Sequence, residues 1–170
     1  LANVLTFFPH PRMVLQKESQ IKLIETLKER EDFLRKLGVD NLIIHPFSVA
    51  FSKLTALEFI QNILVKQLKI DSLYIGYDHR FGRNREATVE DLKSYGQQYD
   101  FKVNIISAQQ IATIAVSSTK IREAIALGDF VKVHHFLGRP FQLRGTVTKG
   151  EGIGRKLAFP TANLNVNIPY

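Results

Sequence analysis

The segment Val116–Glu123 contains the most informative chemistry in the sequence, because three small hydroxyl residues precede two cations there. Ser and Thr are good helix N-caps, since their side-chain oxygens accept hydrogen bonds from the first amides of a helix. Lys120 and Arg122 then fall in the first turn, where the helix dipole disfavours positive charge. A bound anion over the helix start, most simply a phosphate, would account for both cations. The alternative is an ordinary cap followed by two solvated cations.

Two further segments combine rings with cations. Phe7–Arg12 places His10 between two prolines, which predicts a stiff, extended loop. Its aromatic and proline wall suits a flat ring, with His10 and Arg12 facing a phosphate; the alternative is a plain rigid turn.

Gly76–Arg85 combines two glycines with three arginines, a carboxylate and two aromatic residues. Arg binds phosphate bidentately and stacks on bases, whereas the alternative is a solvated basic loop.

A fourth constellation joins the glycine-rich segment Gly150–Arg155 to Phe159–Asn163. Glycine turns let backbone amides approach phosphate oxygens, and the Thr161 hydroxyl and the Asn163 amide carbonyl are of the oxygen type that Mg²⁺ accepts. The alternative is a pair of hairpin turns.

The sequence excludes several other chemistries. It contains no cysteine, which rules out disulfides, thiolate metal sites and thiol nucleophiles. No serine lies in a nucleophile-elbow context, and neither the Gly-x-Gly-x-x-Gly nor the Walker pattern occurs. His134 and His135 are neighbours on a predicted helix and therefore face different ways, which favours structural and surface roles over metal binding.

The composition indicates an anionic ligand. The chain has 170 residues, an apolar fraction of 45% and a formal net charge of +7, so it can bury a core, and either a nucleotide or a nucleic acid suits its charge. No apolar run approaches the ~18–20 residues that span a bilayer, and no signal peptide is visible. Because the chain enters a strand-like segment almost directly after Leu1, we expect it to be a piece of a longer protein.

Strand-like and helix-like segments alternate along most of the chain. Short apolar runs typical of buried strands lie at Val4–Phe7, Leu42–Ile44, Leu73–Ile75 and Val103–Ile106. Helical patterns cover about Gln20–Leu37 with a break allowed near Thr26, Thr55–Leu68, Thr88–Tyr99, a helix that opens at the Ser117–Thr119 hydroxyls with Gly128 as its stop, and about Asp129–Leu137. The second of these helices opens with a capping box, and its inner stripe is predicted to hold Leu57, Ile60, Ile63, Leu64 and Leu68.

This alternation predicts βαβ units and a parallel sheet with helices on both faces. Ligands bind such sheets at the carboxyl ends of the strands, which selects the loops 8–14, 76–87 and 109–119. After residue 138 the pattern changes, and residues 141–148 alternate like an antiparallel strand. We therefore predict a domain over residues 1–138 and the opening of an all-β unit over residues 139–170.

Six motifs, in this order, resemble the bacterial family of bifunctional riboflavin kinase/FMN adenylyltransferases, also called FAD synthetases. The motifs are Thr6–Arg12, Phe51–Phe59, Gly76–Gly82, Ser117–Arg122, Leu137–Pro140 and Phe159–Asn163. The resemblance extends over essentially all 170 residues. The resemblance implies an α/β fold with a Rossmann-like parallel sheet of the nucleotidyltransferase type over residues 1–138, N-terminally incomplete. It also implies the beginning of an antiparallel riboflavin kinase β-barrel over residues 139–170, C-terminally incomplete.

The resemblance implies FAD biosynthesis as the activity of the parent protein. AMP is transferred from ATP to FMN, giving FAD and pyrophosphate, and riboflavin is phosphorylated to FMN with ATP and Mg²⁺. Nucleotides and flavins are the expected partners, without nucleic acid or membrane, in the cytoplasm. The family's paired-histidine motif belongs upstream of Leu1 and its kinase carboxylate beyond Tyr170, so this chain alone is expected to be inactive.

The site residues follow motif by motif from the same resemblance. ATP binding is implied for Ser117, Ser118, Thr119, Lys120, Arg122 and Asp78, with Arg122 and Ser118 as the catalytic residues. Flavin binding is implied for Pro9, His10, Pro11, Arg80 and Phe81. The Mg-ATP of the kinase is implied to contact Thr161 and Asn163.

The sequence departs from the family pattern at a few positions, namely Tyr77, His79, Ala87, Thr88 and Ala158. Two alternatives stay open: a nucleotidyltransferase of the same fold acting on another phosphorylated acceptor, and a basic nucleic-acid-binding module. Against the second, the aromatic residues are not interleaved with basic residues on one strand face, as a single-strand platform requires.

Overall fold

The computed structural model describes residues 1–16, 21–108, 110–111 and 114–166. The chain divides into two compact units. Unit 1 contains Leu1–Gln20 and Gly38–Gln110, and unit 2 contains Ile21–Leu37 and Ile111–Tyr170. Unit 2 therefore combines a segment from the first quarter of the chain with the C-terminal part. The predicted domain boundary at residue 138 stays a prediction.

The strands of unit 1 form parallel pairs. Strand β1 (Asn3–Phe8) pairs with β2 (Asn41–Pro46), and β3 (Ser72–Gly76) pairs with β4 (Lys102–Ile106). Within the described residues each pair is a separate two-stranded sheet. The predicted α/β character and the parallel pairing are thus confirmed, while one continuous sheet stays a prediction. Two short strands follow, β5 (Gln110–Ile111) and β6 (Ile114–Ala115); the rest of the predicted loop 109–119 before Ile114 lies outside the described residues.

The helices that start at Ala56, Val89, Ser118 and Phe130 begin within one residue of a predicted start, whereas those at Pro11, Leu27 and Ile153 do not. Numbered along the chain, they are α1 (Pro11–Leu15), α2 (Leu27–Lys36), α3 (Ala56–Phe59, continuing with π geometry over Ile60–Gln67), α4 (Val89–Tyr99), α5 (Ser118–Ala126), α6 (Phe130–Leu137) and α7 (Ile153–Lys156). Short 3₁₀ turns lie at Phe51–Lys53 and Arg83–Arg85. None of the helices in the described part of the chain combines the length and apolar character that a membrane crossing requires.

Capping boxes fix the starts of three helices. Thr26, Thr55 and Thr88 each accept a hydrogen bond from the third helical amide, and the acidic side chain at that position bonds back to the threonine amide. The helix predicted from about Gln20 is wrong over residues 21–26, which are not helical. The Thr26 cap starts α2 at Leu27, where the sequence allowed a break, and residues 17–20 lie outside the described residues. The Thr55 amide holds the pKa of the Glu58 carboxyl below its ordinary value.

The core of unit 1 lies where α3 and α4 pack against the strands. Its buried members include Ala56, Ile60, Leu64, Ile75 and Leu92. The prediction that Leu57 faces the core is wrong, since 38% of its surface is exposed. Ala56 takes the inner position, and the change to π geometry at Ile60 shifts the stripe away from the ideal 3.6-residue period.

Unit 2 has a second, smaller core where α5 meets α6. Ile121 and Ala124 of α5 are buried together with Val133 and Phe136 of α6. Asp129 caps α6 by accepting the Lys132 amide at 3.1 Å, and α6 ends at the αL residue Gly138, a common helix stop.

Residues 139–144 of unit 2 are held against α2 by ion pairs. Arg139 Nη2 donates to Glu25 at 2.5 Å, and its guanidinium lies 4.4 Å from the centre of the Phe33 ring. Arg144 Nη1 donates to Asp32 at 2.5 Å. The prediction of a strand over residues 141–148 is therefore wrong for its first half. Only β7 (Thr146–Thr148) is extended and paired, antiparallel to β8 (Asn163–Asn165).

Replacing Gly96 tests the packing of unit 1, because α4 lies close to Phe101 and to Val103 of β4 at this position. A Cβ atom at this position would lie 2.6 Å from the Phe101 carbonyl oxygen and 3.1 Å from Val103 Cγ2. We expect Gly96→Ala to lower the free energy of unfolding by roughly 1–2 kcal/mol, since this overpacking outweighs the gain in helix propensity. Urea unfolding followed by circular dichroism measures the change. Lys93→Ala, an exposed position on α4, is the matched control, and equal stability of the two variants would contradict the packing.

Candidate functional site

The first candidate segment follows directly from the end of β1. Its last pairs with β2 are Phe7 with His45 and Phe8 with Pro46. His10 is extended, and its Nδ1 accepts a hydrogen bond from the Arg12 amide at 3.2 Å, so His10 caps α1. The expectation of an extended loop therefore holds only as far as His10. A helix begins at Pro11, because proline is well suited to the first helical position, where no amide donor is needed.

The second candidate segment begins at Gly76, the last residue of β3. The His79 amide donates to the Gly76 carbonyl at 3.0 Å, which makes a tight turn at the strand end. A Cβ on Gly76 would lie 3.4 Å from Asp78 Oδ1, so the Asp78 carboxylate folds back towards this turn. Phe81 and Ala87 exchange backbone hydrogen bonds and close the remainder of the segment into a loop.

Gly82 locks this loop onto the start of α3. Its φ is +75°, and a Cβ there would lie 2.7 Å from the Ala56 amide nitrogen, so both conformation and space require glycine. The next amide, that of Arg83, donates to the Leu54 carbonyl at 2.8 Å. The sequence indicates a glycine turn here, but it gives no signal that Ala56 and Leu54 hold it.

The proposed ligand side chains of this loop differ in exposure. Asp78 and Arg80 are exposed, whereas Phe81 is buried in the core with 9% of its surface accessible. The His79 ring stacks on Phe81 with the ring centres 6.1 Å apart. Phe81 therefore supports the loop from within, and its contact with a flavin stays a prediction.

The pKa of His79 lies below its ordinary value. Burial of the ring is the main cause, the positive charge of Arg85 adds to it, and the negative charge of Asp78 opposes it. The lowered pKa favours the neutral form of the imidazole. This places a flat, uncharged ring between the acidic Asp78 and the basic Arg80.

The third candidate segment is the start of α5 in unit 2. Ser117 is extended and caps the helix, its Oγ accepting the Lys120 amide at 3.4 Å. The Lys120 ammonium donates back to the Ala115 carbonyl at 3.0 Å, and Arg122 Nε donates to the Lys22 carbonyl at 2.5 Å. Both cations are thus fixed by backbone oxygens. Ser118 and Thr119 are exposed in the first turn.

This arrangement can bind an anion. The first amides of a helix carry partial positive charge and lack intrahelical acceptors, and the first turn of α5 contains no acidic residue. The capping by Ser117 and the first-turn position of Lys120 agree with the sequence prediction. The Lys22 carbonyl was not foreseen, because a backbone acceptor leaves no trace in the residue type.

The fourth candidate segment brings the glycine-rich turn and the Phe159–Asn163 motif together within unit 2. A Cβ on Gly150 would lie 1.5 Å from Asn163 Nδ2, and one on Gly154 would lie 3.0 Å from Thr161 Oγ1. The sequence alternative of two simple hairpin turns is not observed, because α7 occupies Ile153–Lys156. Thr161 and Asn163 therefore rest on two glycines that leave room for them.

No cluster of three or more His, Cys, Asp or Glu side chains suited to a metal ion occurs among the residues that the structure describes. His134 and His135 are both exposed on α6, with ring centres 6.2 Å apart.

Comparison with known proteins identifies the family. A family model described as FAD synthetase matches residues 1–120, and one described as riboflavin kinase matches residues 137–169. The chain belongs to the FAD synthetase family.

Individual relatives agree with this assignment. The bifunctional riboflavin kinase/FMN adenylyltransferase of Listeria monocytogenes is 38% identical over 168 residues, which cover 98% of this chain and 53% of that protein. The proteins of the same name from Buchnera aphidicola and Escherichia coli K12 are 37% and 33% identical, covering 98% and 95% of this chain and 56% and 51% of their own lengths. The chain thus spans about half the length of the curated relatives it matches.

A solved structure is also similar. It is described as a macrolide-efflux protein from Streptococcus pneumoniae and has 34% sequence identity and a TM-score of 0.87, over 97% of this chain and 53% of that one.

The neutrality of His79 is directly testable. Histidine NMR resonances followed against pH should place its titration below the ordinary value of about 6.5. Arg85→Gln should raise the pKa but leave it below that value, because burial is the larger cause. Since the folded pKa is depressed, the contribution of His79 to stability falls as the pH drops from about 6.5 through the folded pKa. A titration at or above the ordinary value would contradict burial as the main influence on this ring.

Proposed function

We propose that the natural protein containing this chain synthesises FAD. In this proposal it transfers AMP from ATP to FMN and also phosphorylates riboflavin to FMN. The observation that supports it most is the start of α5, where a serine cap and two cations are fixed by backbone oxygens. The FAD synthetase match includes Ser117–Lys120 and ends two residues before Arg122. The proposed domains are an adenylyltransferase over residues 1–138 and the opening of a riboflavin kinase barrel over residues 139–170.

ATP binding is assigned mainly to the start of α5. The Ser118 and Thr119 hydroxyls and the first helical amides bind phosphate oxygens, while Ser117 maintains the cap. Lys120 and Arg122 supply positive charge, and Arg122 and Ser118 are the catalytic pair. Asp78 is assigned to the nucleotide as well, because its exposed carboxylate is an acceptor for ribose or base donors.

Flavin binding is assigned to the two loops of unit 1. Pro9, His10 and Pro11 present a surface of low flexibility, since His10 is fixed as the cap of α1. Arg80 is exposed for an anionic or planar group. Phe81 contributes through the His79 ring that stacks on it.

The adenylyl transfer needs no covalent enzyme intermediate. An oxygen of the FMN phosphate attacks the α-phosphorus of ATP, the bond to the bridging oxygen breaks, and pyrophosphate leaves with the electron pair. Arg122 and the amides of α5 stabilise the negative charge that develops on the leaving group. Because Arg122 Nε is already bonded to the Lys22 carbonyl, its guanidinium is oriented before the substrate arrives, which avoids a reorganisation cost in the transition state.

The kinase segment fits Mg²⁺ through its donor chemistry. Thr161 and Asn163 offer a hydroxyl and an amide oxygen, the hard ligands that Mg²⁺ prefers, and Gly150 and Gly154 leave the space beside them that a Cβ would fill. Bound with ATP, the ion would neutralise phosphate charge. Thr161 and Asn163 hold and orient it in this proposal, and the glycine turn keeps their side chains in place.

The proposal extends to fold and context. The two parallel strand pairs belong to one Rossmann-like sheet of the nucleotidyltransferase type, and β7 and β8 open an antiparallel barrel. The partners are nucleotides and flavins, without nucleic acid or membrane, in the cytoplasm. Residues 1–170 alone are proposed to catalyse neither reaction.

The role of Arg122 is tested in the full natural protein by measuring both activities. We expect Arg122→Ala to reduce FAD formation from FMN and ATP about 10²–10³-fold, as the loss of one preorganised donor does, with riboflavin phosphorylation unchanged. Arg122→Lys keeps the charge but lacks the Nε donor to Lys22, so it should recover only part of the rate. Arg35→Ala, which changes an exposed arginine of α2, is the control, and melting temperatures verify folding.

Near-normal FAD formation by Arg122→Ala would refute the assignment. FAD formation that is weaker than transfer to another phosphorylated acceptor would favour a different nucleotidyltransferase.

The glycine next to Asn163 gives the complementary test. Gly150→Ala forces the Asn163 amide away from its position, so riboflavin phosphorylation should fall at least about tenfold, in line with loss of an oriented ligand contact. FAD formation from supplied FMN should stay at the wild-type rate. Lys149→Ala, an exposed neighbour, controls for changes in this stretch. Unchanged kinase activity in Gly150→Ala would exclude Asn163 from the Mg-ATP site.

A further inference from the structure

The motif Phe51–Phe59 has no assigned role in either reaction, yet its first residue is the centre of an aromatic cluster in unit 1. The Phe51 ring lies 5.4 Å from Phe7, 4.5 Å from His45, 5.6 Å from Phe47 and 6.1 Å from Phe59, measured between ring centres. These separations fall within the range in which aromatic pairs attract one another. Phe51 is itself half-buried.

The cluster reaches both loops proposed to bind flavin. Phe7 is the penultimate residue of β1 and lies two positions before Pro9. On the other side, Phe59 contacts Phe81 at 6.3 Å, and Phe81 carries the stacked His79 ring of the second loop. Rings in mutual contact therefore extend from the first loop to the second, with Phe51 in the middle.

Hydrogen bonds hold the backbone around Phe51 in place. Ser48 Oγ accepts the Phe51 amide at 3.0 Å, and Ser52 Oγ donates to the Val49 carbonyl at 2.8 Å, which stabilises the 3₁₀ turn. One residue after that turn, the Leu54 carbonyl accepts the Arg83 amide of the second loop at 2.8 Å. The Phe51 ring thus contacts Phe7 in the strand that leads into the first loop, and the residue after the turn, Leu54, holds the second loop through its backbone.

We propose that Phe51 is a positioning residue for flavin binding, which sets the separation of loop 8–14 from loop 76–87. It acts by packing between Phe7 and Phe59 and does not itself touch the reacting atoms. This inference rests on the proposed flavin role of the two loops. Removing the ring frees the loops relative to each other, so FMN binds a less ordered surface and its KM rises, while the α5 phosphate site in unit 2 is untouched.

The experiment compares Phe51→Leu, Phe51→Met and Phe51→Tyr in the full natural protein. Phe51→Leu should raise the KM for FMN about five- to tenfold, raise the KM for ATP less because only Asp78 of the proposed ATP residues lies in these loops, leave riboflavin phosphorylation unchanged, and speed amide hydrogen exchange in both loops. Phe51→Tyr keeps the ring and should restore wild-type values. Phe51→Met is the milder variant if Phe51→Leu fails to fold. Leu92→Val, in the buried core of unit 1, is the control for general destabilisation.

An unchanged KM for FMN in folded Phe51→Leu would overturn the inference, as would an equal rise in Leu92→Val. Unchanged exchange in both loops would also overturn it. The exchange measurement needs no activity, so it separates this inference from the proposed function. If the wild-type protein makes no FAD, the proposed function fails; loops that loosen only in Phe51→Leu would still establish the coupling through Phe51.

Discussion

Two cations close to the start of α5, Lys120 in its first turn and Arg122 just after that turn, are the feature on which unit 2 depends. The helix dipole alone would disfavour them, and the structure offsets this by giving each a backbone carbonyl. Lys120 bonds to Ala115, just before the helix, and Arg122 bonds to Lys22, a residue a hundred positions earlier in the chain. Ile121 and Ala124 bury the opposite face against α6. The result is a positively charged helix start whose side chains are oriented before any anion binds.

The same segment that orients Arg122 also fixes the chain leading into the kinase motif. Residues 21–37 supply the Lys22 carbonyl, and Glu25 and Asp32 pair with Arg139 and Arg144. Glu25 and Arg139 are only about one-fifth exposed, so this pair is better shielded from solvent than an ordinary surface ion pair. A segment early in the sequence thus stabilises the part of the chain where the riboflavin kinase match begins.

Unit 1 differs in that it holds the polar loop 76–87 in place while Asp78 and Arg80 stay exposed. Gly82 allows the second loop to meet Ala56 and Leu54 through the backbone. The aromatic side chains around Phe51 then occupy the space between the loop ends. Asp78 and Arg80 stay exposed because the loop is anchored by its backbone and by Phe81, and not by the polar side chains themselves.

The sequence predicted the features that depend on neighbours along the chain. The capping box of Thr55 and Glu58, the positions of β1 to β4 and the starts of α3 to α6 follow from residues close together in the sequence. The start of α1 was missed, although Pro11 after a potential cap carried the signal. Leu57 was placed inside because the period of an ideal helix was assumed, whereas the approach of Gly82 selects Ala56.

Features that depend on distant residues could not be predicted. The strand expected from Phe141 is interrupted because Arg139 and Arg144 find partners more than a hundred residues away. For the same reason the sequence identified Arg122 by type but could not indicate its bond to a backbone oxygen. The residue types and the order of the motifs in the sequence were therefore enough to select the candidate ligand residues. The contacts that orient these residues are visible only in the structure.

The central claim is that a phosphate of ATP binds at the start of α5. Amide NMR spectra of the full natural protein, recorded during titration with Mg-ATP, test it most directly. The account predicts that the largest shift changes fall on the amides of residues 118–122, and that inorganic pyrophosphate reproduces them. Saturation of the nucleotide with these amides unmoved would contradict it.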